Sequence, residues 1–177
     1  MTVYLTYFVH GTTTDNEKGI STGQAPGELS GLGERQSIEL KELIKDKNFD
    51  LVFTSDLRRA IDSADLTFGE SIEIIQDEKL RECDYGDLTG TKEVDYIDYI
   101  DNKFPNGESM KDVEKRIKEF LDFLKKRYDG KHVAIVAHKA PQLAIEVLLN
   151  NKTWKQAIEE DWRKTKAWKP GWEYQLE

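Results

Sequence analysis

At 177 residues, 38% hydrophobic and 34% charged, the chain suits one soluble globular domain with a good core. Its formal charge of −8 argues against a general nucleic-acid binder, although a local cluster of arginine, histidine and amide N–H groups still admits a small phosphate. One cysteine, Cys83, forms no internal disulfide, and the lack of a span-length apolar run or basic leader predicts a cytoplasmic protein without a membrane partner.

Val3 to Val9 is aromatic and β-branched, reads as a buried strand, and ends on His10. Ligands of open α/β sheets bind beyond the carboxyl ends of the strands, which makes His10 a candidate site residue. Thr14 to Ser30 reads as a polar loop, too long for a tight turn. A helix is predicted from about Ser30 to Asp46, with Leu32, Ile38, Leu40, Leu43 and Ile44 on its buried side. Leu51 to Thr54 follows as a short buried strand. Ser55 or Asp56 stands where it can cap the next helix. There Leu57, Ala60, Ile61, Ala64 and Leu66 face inward, and Arg59 in the first turn reaches the strand ends. Ile72 to Ile75 is another strand. This alternation predicts a layered, largely parallel α/β fold.

From about 76 to 107 the pattern breaks, and a lid-like insertion is expected, with a short helix between Val94 and Phe104. Ser109 and Asp112 make a capping-box start for a long helix carrying Val113, Ile117, Phe120, Leu121, Leu124 and Tyr128 at helical spacing. Asp129-Gly130 ends it. His132 to Ala137 is a second buried strand, and it too ends on a histidine, His138. If the two strands are parallel neighbours, their imidazoles face one pocket. A helix from about Pro141 to Leu149 follows. The tail holds four tryptophans, read as core packing, and alternates like an edge strand from Gly171 to Leu176. No repeat or linker divides the chain, so a single domain over 1–177 is expected.

Several short pieces acquire meaning together: Val9-His10-Gly11-Thr12-Thr13 through Asn16, Thr22-Gly23, Leu29-Ser30-Gly31-Leu32-Gly33-Glu34-Arg35-Gln36, Ser55-Asp56-Leu57-Arg58-Arg59-Ala60, Leu80-Arg81-Glu82-Cys83-Asp84-Tyr85-Gly86, Asn106-Gly107-Glu108-Ser109 and Val136-Ala137-His138. In this order they resemble the histidine phosphatase superfamily, the phosphoglycerate-mutase-like clan, and its compact phosphatases more than its longer mutases. The resemblance implies a three-layer sandwich and a metal-independent phosphomonoester hydrolase acting through a phosphohistidine. By the same resemblance His10 is the nucleophile, Glu82 the proton donor and His138 a stabiliser of the phosphoryl group. Arg59, Asn16, Thr22 and Gly23 fall at phosphate-contacting positions, and Thr13 at one that holds His10. Glu108 and Ser109 serve the start of the long helix.

One departure stands out. The arginine that this family carries before its first histidine is Val9 here, which makes no charge-assisted contact with phosphate. Lys139, where the family commonly has glycine, either replaces part of that charge or points to solvent. The expected partner is a small phosphorylated metabolite, with no nucleic acid, no cofactor and no metal, since three histidines and one cysteine lack zinc-like spacing. A catalytically weakened phosphate-ester-binding regulatory protein and a phosphoglycerate-mutase-type phosphotransferase remain the alternatives.

Overall fold

The computed structural model describes residues 2–177. In chain order its elements are β1 (Val3–Val9), α1 (Thr14–Lys18), α2 (Gly31–Leu43), β2 (Leu51–Thr54), α3 (Arg58–Phe68), β3 (Ile74–Gln76), α4 (Met110–Arg127), β4 (His132–Ala137), α5 (Lys139–Leu149), α6 (Trp154–Glu159), α7 (Trp162–Thr165) and β5 (Trp172–Leu176). The strands form one sheet in the order β3-β2-β4-β1-β5. All neighbours are parallel except β5, which runs antiparallel to β1 along the edge. The expected mostly parallel α/β architecture is thus observed.

Strand periodicity sorts side chains into two cores. On one face Leu5, Tyr7, Phe53, Val133 and Ile135 pack against Val113, Ile117, Phe120 and Leu124 of α4 and against α5. On the other, Phe8, Val52, Ala134 and Val136 meet Ala64 and Phe68 of α3 together with Ile44. Helices therefore cover both faces, the arrangement that strands buried on two sides require. The long helix begins as its sequence indicates, with Ser109 and Asp112 closing a capping box.

Several local expectations are corrected. Leu32, Ile38 and Leu43 of α2 are exposed, and its buried positions are Gly33 and Ser37. The cause is a close approach: a Cβ on Gly33 would lie 1.9 Å from the Thr12 carbonyl oxygen, and one on Gly11 2.4 Å from that of Gly33. Only small residues let this helix sit against the loop after β1. The polar loop after His10 contains α1, whose capping box joins Thr13 and Asn16. In α3 the N-cap is Leu57, without a side-chain cap, because Ser55 and Asp56 are engaged elsewhere. Ser63, Thr67 and Phe68 take inward places assigned to Ile61 and Leu66. Between Val94 and Phe104 there is a single 3₁₀ turn at Ile97–Tyr99. Helix α5 begins two residues before Pro141, a position whose missing N–H costs nothing in a first turn. Of the four tryptophans only Trp154 is fully buried, and Trp168 is 51% exposed.

Candidate active site

Register places the two histidines. Val9 pairs with Ala137 across parallel β1 and β4, so the next residue of each strand, His10 and His138, leaves the sheet at the same height. Their ring centroids lie 5.1 Å apart at 57°. A cavity of about 360 Å³ opens over this edge of the sheet, bordered by His10, Asn16, Thr22, Gly23, Arg59, Glu82 and Lys139. His138 is fully buried against His10 and does not border the cavity. All eight candidate residues thus converge on one place.

The protonation of His10 follows from its partners. Its Nδ1 lies 2.7 Å from the Gly11 carbonyl oxygen, which can only accept, so Nδ1 carries the hydrogen and Nε2 keeps its lone pair. Burial, reinforced by the Arg59 guanidinium, pushes this imidazole down to about 3. At neutral pH it is an uncharged nitrogen base. The Thr13 hydroxyl, the expected anchor, instead accepts the Asn16 backbone N–H, and the anchoring runs through Gly11. The Gly11 N–H donates to Ser63 Oγ at 2.9 Å, and that hydroxyl donates to the Arg59 carbonyl at 2.7 Å. His10 is thereby tied to α3.

His138 is held on three sides. The Tyr7 hydroxyl donates to its carbonyl at 2.6 Å and accepts its N–H at 2.9 Å. Ser55 Oγ lies 2.6 Å from its Nε2 and accepts the Leu57 N–H at 3.3 Å. A serine hydroxyl already accepting there donates most simply to Nε2, which puts the His138 hydrogen on Nδ1. Nδ1 is buried without a hydrogen-bond partner among the described residues. Burial first, then the charge of Arg59, holds His138 well below the ordinary histidine range. A neutral ring with an unpaired Nδ1 therefore lies against the His10 imidazole.

Arg59 is buried, with Nη2 donating to Gly23 O at 2.6 Å and Nη1 to Ala25 O at 3.2 Å. Its neighbour Arg58 is exposed and pairs with Glu28 and Asp62. Gly23 has φ +55°, and a Cβ there would meet the Tyr85 ring at 2.9 Å, so glycine is required for this carbonyl to reach the guanidinium. Thr22 donates to Asp15 at 2.8 Å. Asn16 borders the cavity while its Oδ1 accepts the Thr13 N–H.

Glu82 faces backbone N–H groups. One carboxylate oxygen accepts N–H groups from Cys83 and Ala140 at 2.8 and 3.0 Å, and the other accepts that of Lys139 at 3.1 Å. The first turn of α5 thus holds this carboxylate at the cavity wall. Behind it Arg116 donates to the carbonyls of Lys79, Arg81 and Glu82 and pairs with Glu108 at 2.9 Å. Glu108 accordingly braces the Glu82 loop, and only Ser109 caps α4. Asp56 accepts from Arg81 Nε at 2.7 Å on the same loop. Burial, with the neighbouring Glu82 charge, pushes the Cys83 thiol far up, so it is no nucleophile. Lys139 Nζ lies 3.4 Å from Asp161 Oδ2 and 4.7 Å over the Tyr96 ring; it is held by these groups at the cavity.

Sequence reasoning missed Tyr7, Ser55, Ser63, Arg116, Asp161 and Arg163. Apart from Arg163, whose partners Asp161 and Trp162 are its sequence neighbours, each acts through a tertiary contact, and only the inward phase of Tyr7 in β1 carried a local signal.

A mostly parallel α/β sheet here carries paired neutral imidazoles and a buried arginine at its carboxyl edge, an arrangement with the donors and charge to receive an anion. The chain belongs to the histidine phosphatase superfamily (branch 1), whose sequence profile matches residues 7–163. It is 35% identical over 143 residues to the uncharacterized phosphatase PhoE of Bacillus subtilis (strain 168), covering 79% of this chain and 72% of that one. It is 31% identical over 166 residues to the 2,3-bisphosphoglycerate-dependent phosphoglycerate mutase of Methylorubrum extorquens (strain PA1), covering 82% of this chain and 78% of the mutase. Among solved structures, the alpha-ribazole phosphatase from Shigella flexneri superposes with a TM-score of 0.78 at 25% identity, covering 89% of this chain and 83% of that one. Among the described residues no helix is long and apolar enough to cross a membrane.

Proposed function

We propose that the protein hydrolyses small phosphomonoesters through a phosphohistidine at His10, without a metal. Nε2 of His10 attacks phosphorus as the ester P–O bond breaks, and Glu82, protonated on the oxygen that accepts only the Lys139 N–H, gives that proton to the leaving oxygen. Water then attacks the phosphohistidine and returns a proton to Glu82, the P–N bond breaks, and inorganic phosphate leaves. Arg59 and the Nδ1–H of His138 take up charge on the equatorial oxygens, while Thr22, Asn16 and the Gly23 turn shape the phosphate cradle. The segment from Asp84 to Asn106, which contributes Tyr85, Val94 and Tyr96 to the cavity wall, borders the leaving group.

One observation carries this reading: a neutral His10 with a free Nε2 stands beside an unpartnered buried nitrogen of His138. A buried donor without a partner is rare, and an anion bound at the edge of the two rings would satisfy it. The phosphatase-named relative supports hydrolysis as the outcome. Val9 favours a second reading, a phosphate-ester-binding regulatory protein, because loss of one charged donor removes roughly 2–4 kcal/mol of transition-state stabilisation.

A panel of phosphomonoesters assayed with EDTA separates the two. Turnover abolished in His10→Ala supports the hydrolase. Tight binding of phosphate esters without turnover supports the regulatory protein.

A further inference from the structure

The cavity wall beside Val9 carries a cation that the sequence motifs do not mark. Arg163 and Trp162 border the same cavity as Val9 and His10. The Asp161 side chain is fully buried, with Arg163 Nη1 2.7 Å from its Oδ1 and Lys139 Nζ 3.4 Å from its Oδ2. Asp161 also caps α7, accepting the Arg163 N–H at 3.2 Å. Two cations share one carboxylate, so the cluster keeps a net positive charge at the cavity.

The guanidinium is also fixed in orientation. Its carbon lies 4.5 Å over the Trp162 ring, and that ring stacks on Trp172 at 5.4 Å and 29°. The indole N–H donates to Gln142 at 3.3 Å. One face and one nitrogen of Arg163 are committed, and Nε and Nη2 have no hydrogen-bond partner among the described residues. By contrast Arg59 commits one N–H of each terminal nitrogen to a loop carbonyl. A phosphate at His10 needs more donors than Arg59 alone retains. The charge of Arg163 is near enough to lower both imidazoles.

We infer that Arg163, positioned by Asp161 and flanked by Lys139, supplies the phosphate-binding guanidinium that Val9 does not. This inference rests on the phosphate-site reading above and adds to it the residue that makes the site sufficient. Lys139 is then the lesser cation, since its ammonium faces Asp161 and the Tyr96 ring. Asp161 is a positioning residue.

The test is calorimetric binding of inorganic phosphate, with kcat and KM on p-nitrophenyl phosphate measured in parallel and folding checked by thermal melts. Arg163→Met is expected to weaken phosphate binding by about 10- to 100-fold, the value of a charge-assisted bond. Arg163→Lys retains part of the affinity, and adding Val9→Arg to Arg163→Met restores it. Asp161→Asn adds positive charge, yet weakens binding because the guanidinium loses its anchor; tighter binding contradicts the positioning role. Should Arg163→Met fail to fold, Arg163→Gln serves the same comparison. Unchanged binding and unchanged kcat/KM in a folded Arg163 variant, with His10→Ala inactive, overturn this inference and leave the hydrolase standing. A wild-type protein that neither binds phosphate nor turns over ester overturns both.

Discussion

His10 and His138 stand ring against ring, 5.1 Å between centroids, because Val9 and Ala137 are register partners in parallel strands. Neither imidazole is charged at neutral pH. Two neutral rings side by side avoid like-charge repulsion, and each keeps one nitrogen, Nε2 of His10 and Nδ1 of His138, free of a protein partner among the described residues.

Both rings should therefore resist protonation. The His10 imidazole is pushed down to about 3 and that of His138 is held well below the ordinary range. Imidazole NMR resonances of these residues should show no titration step between pH 8 and 5, whereas midpoints near 6.5 would refute the assignment. In the unfolded chain both bind protons below about pH 6.5. The unfolded state then carries more protons, so folding stability is full above that pH and falls as pH drops toward 3, by up to about 1.4 kcal/mol per pH unit for each ring. Partial exposure of His10 reduces its share. Urea melts at pH 7 and pH 5 measure the loss, and its slope should shrink in His138→Gln.

Tyr7→Phe removes the hydroxyl that serves both the carbonyl and the N–H of His138. Leaving those buried groups unpaired should cost about 1–3 kcal/mol, read as a lower urea midpoint with unchanged m-value. Ser55→Ala frees His138 Nε2 and should lower kcat more than stability, since the tautomer is no longer fixed.

The two glycines at the start of α2 should behave oppositely. Gly33→Ala drives a methyl into the Thr12 carbonyl and must push the loop and helix apart, at a cost of at least about 1–3 kcal/mol. Gly31→Ala meets only a flexible Arg35 nitrogen at 3.6 Å and should be near neutral. Equal melting temperatures for the two variants would refute the close-approach argument.

Arg116→Met releases three loop carbonyls and the Glu108 carboxylate at once. Each hydrogen bond to a charged group is worth about 1.5–3 kcal/mol, so the variant should be clearly destabilised. Hydrogen exchange at Glu82 and Cys83 should rise first. Loss confined to α4 would contradict a bracing role.

Periodicity and end signals carried the architecture: the two histidine-terminated strands, the Ser109 capping box and the C-terminal edge strand were all readable along the chain, whereas the antiparallel direction of that edge was not. What was not readable lies in contacts distant in sequence. The α2 pattern suggested an apolar face, but nothing local indicates that Gly33 must meet the Thr12 carbonyl. Nothing near Glu82 in sequence shows how its carboxyl group is held, because two of its three N–H donors, Lys139 and Ala140, lie far along the chain. Arg163 belongs to no recognisable motif, and Asp161 with the Trp162–Trp172 stack places it at the cavity.

The most direct test of the central claim is rapid quenching of the protein with a ³²P-labelled phosphomonoester, followed by mapping of the label. The expected result is an acid-labile, base-stable phosphoramidate on His10, absent from His10→Ala. Turnover with no trapped phosphoenzyme, undiminished in His10→Ala, would contradict it.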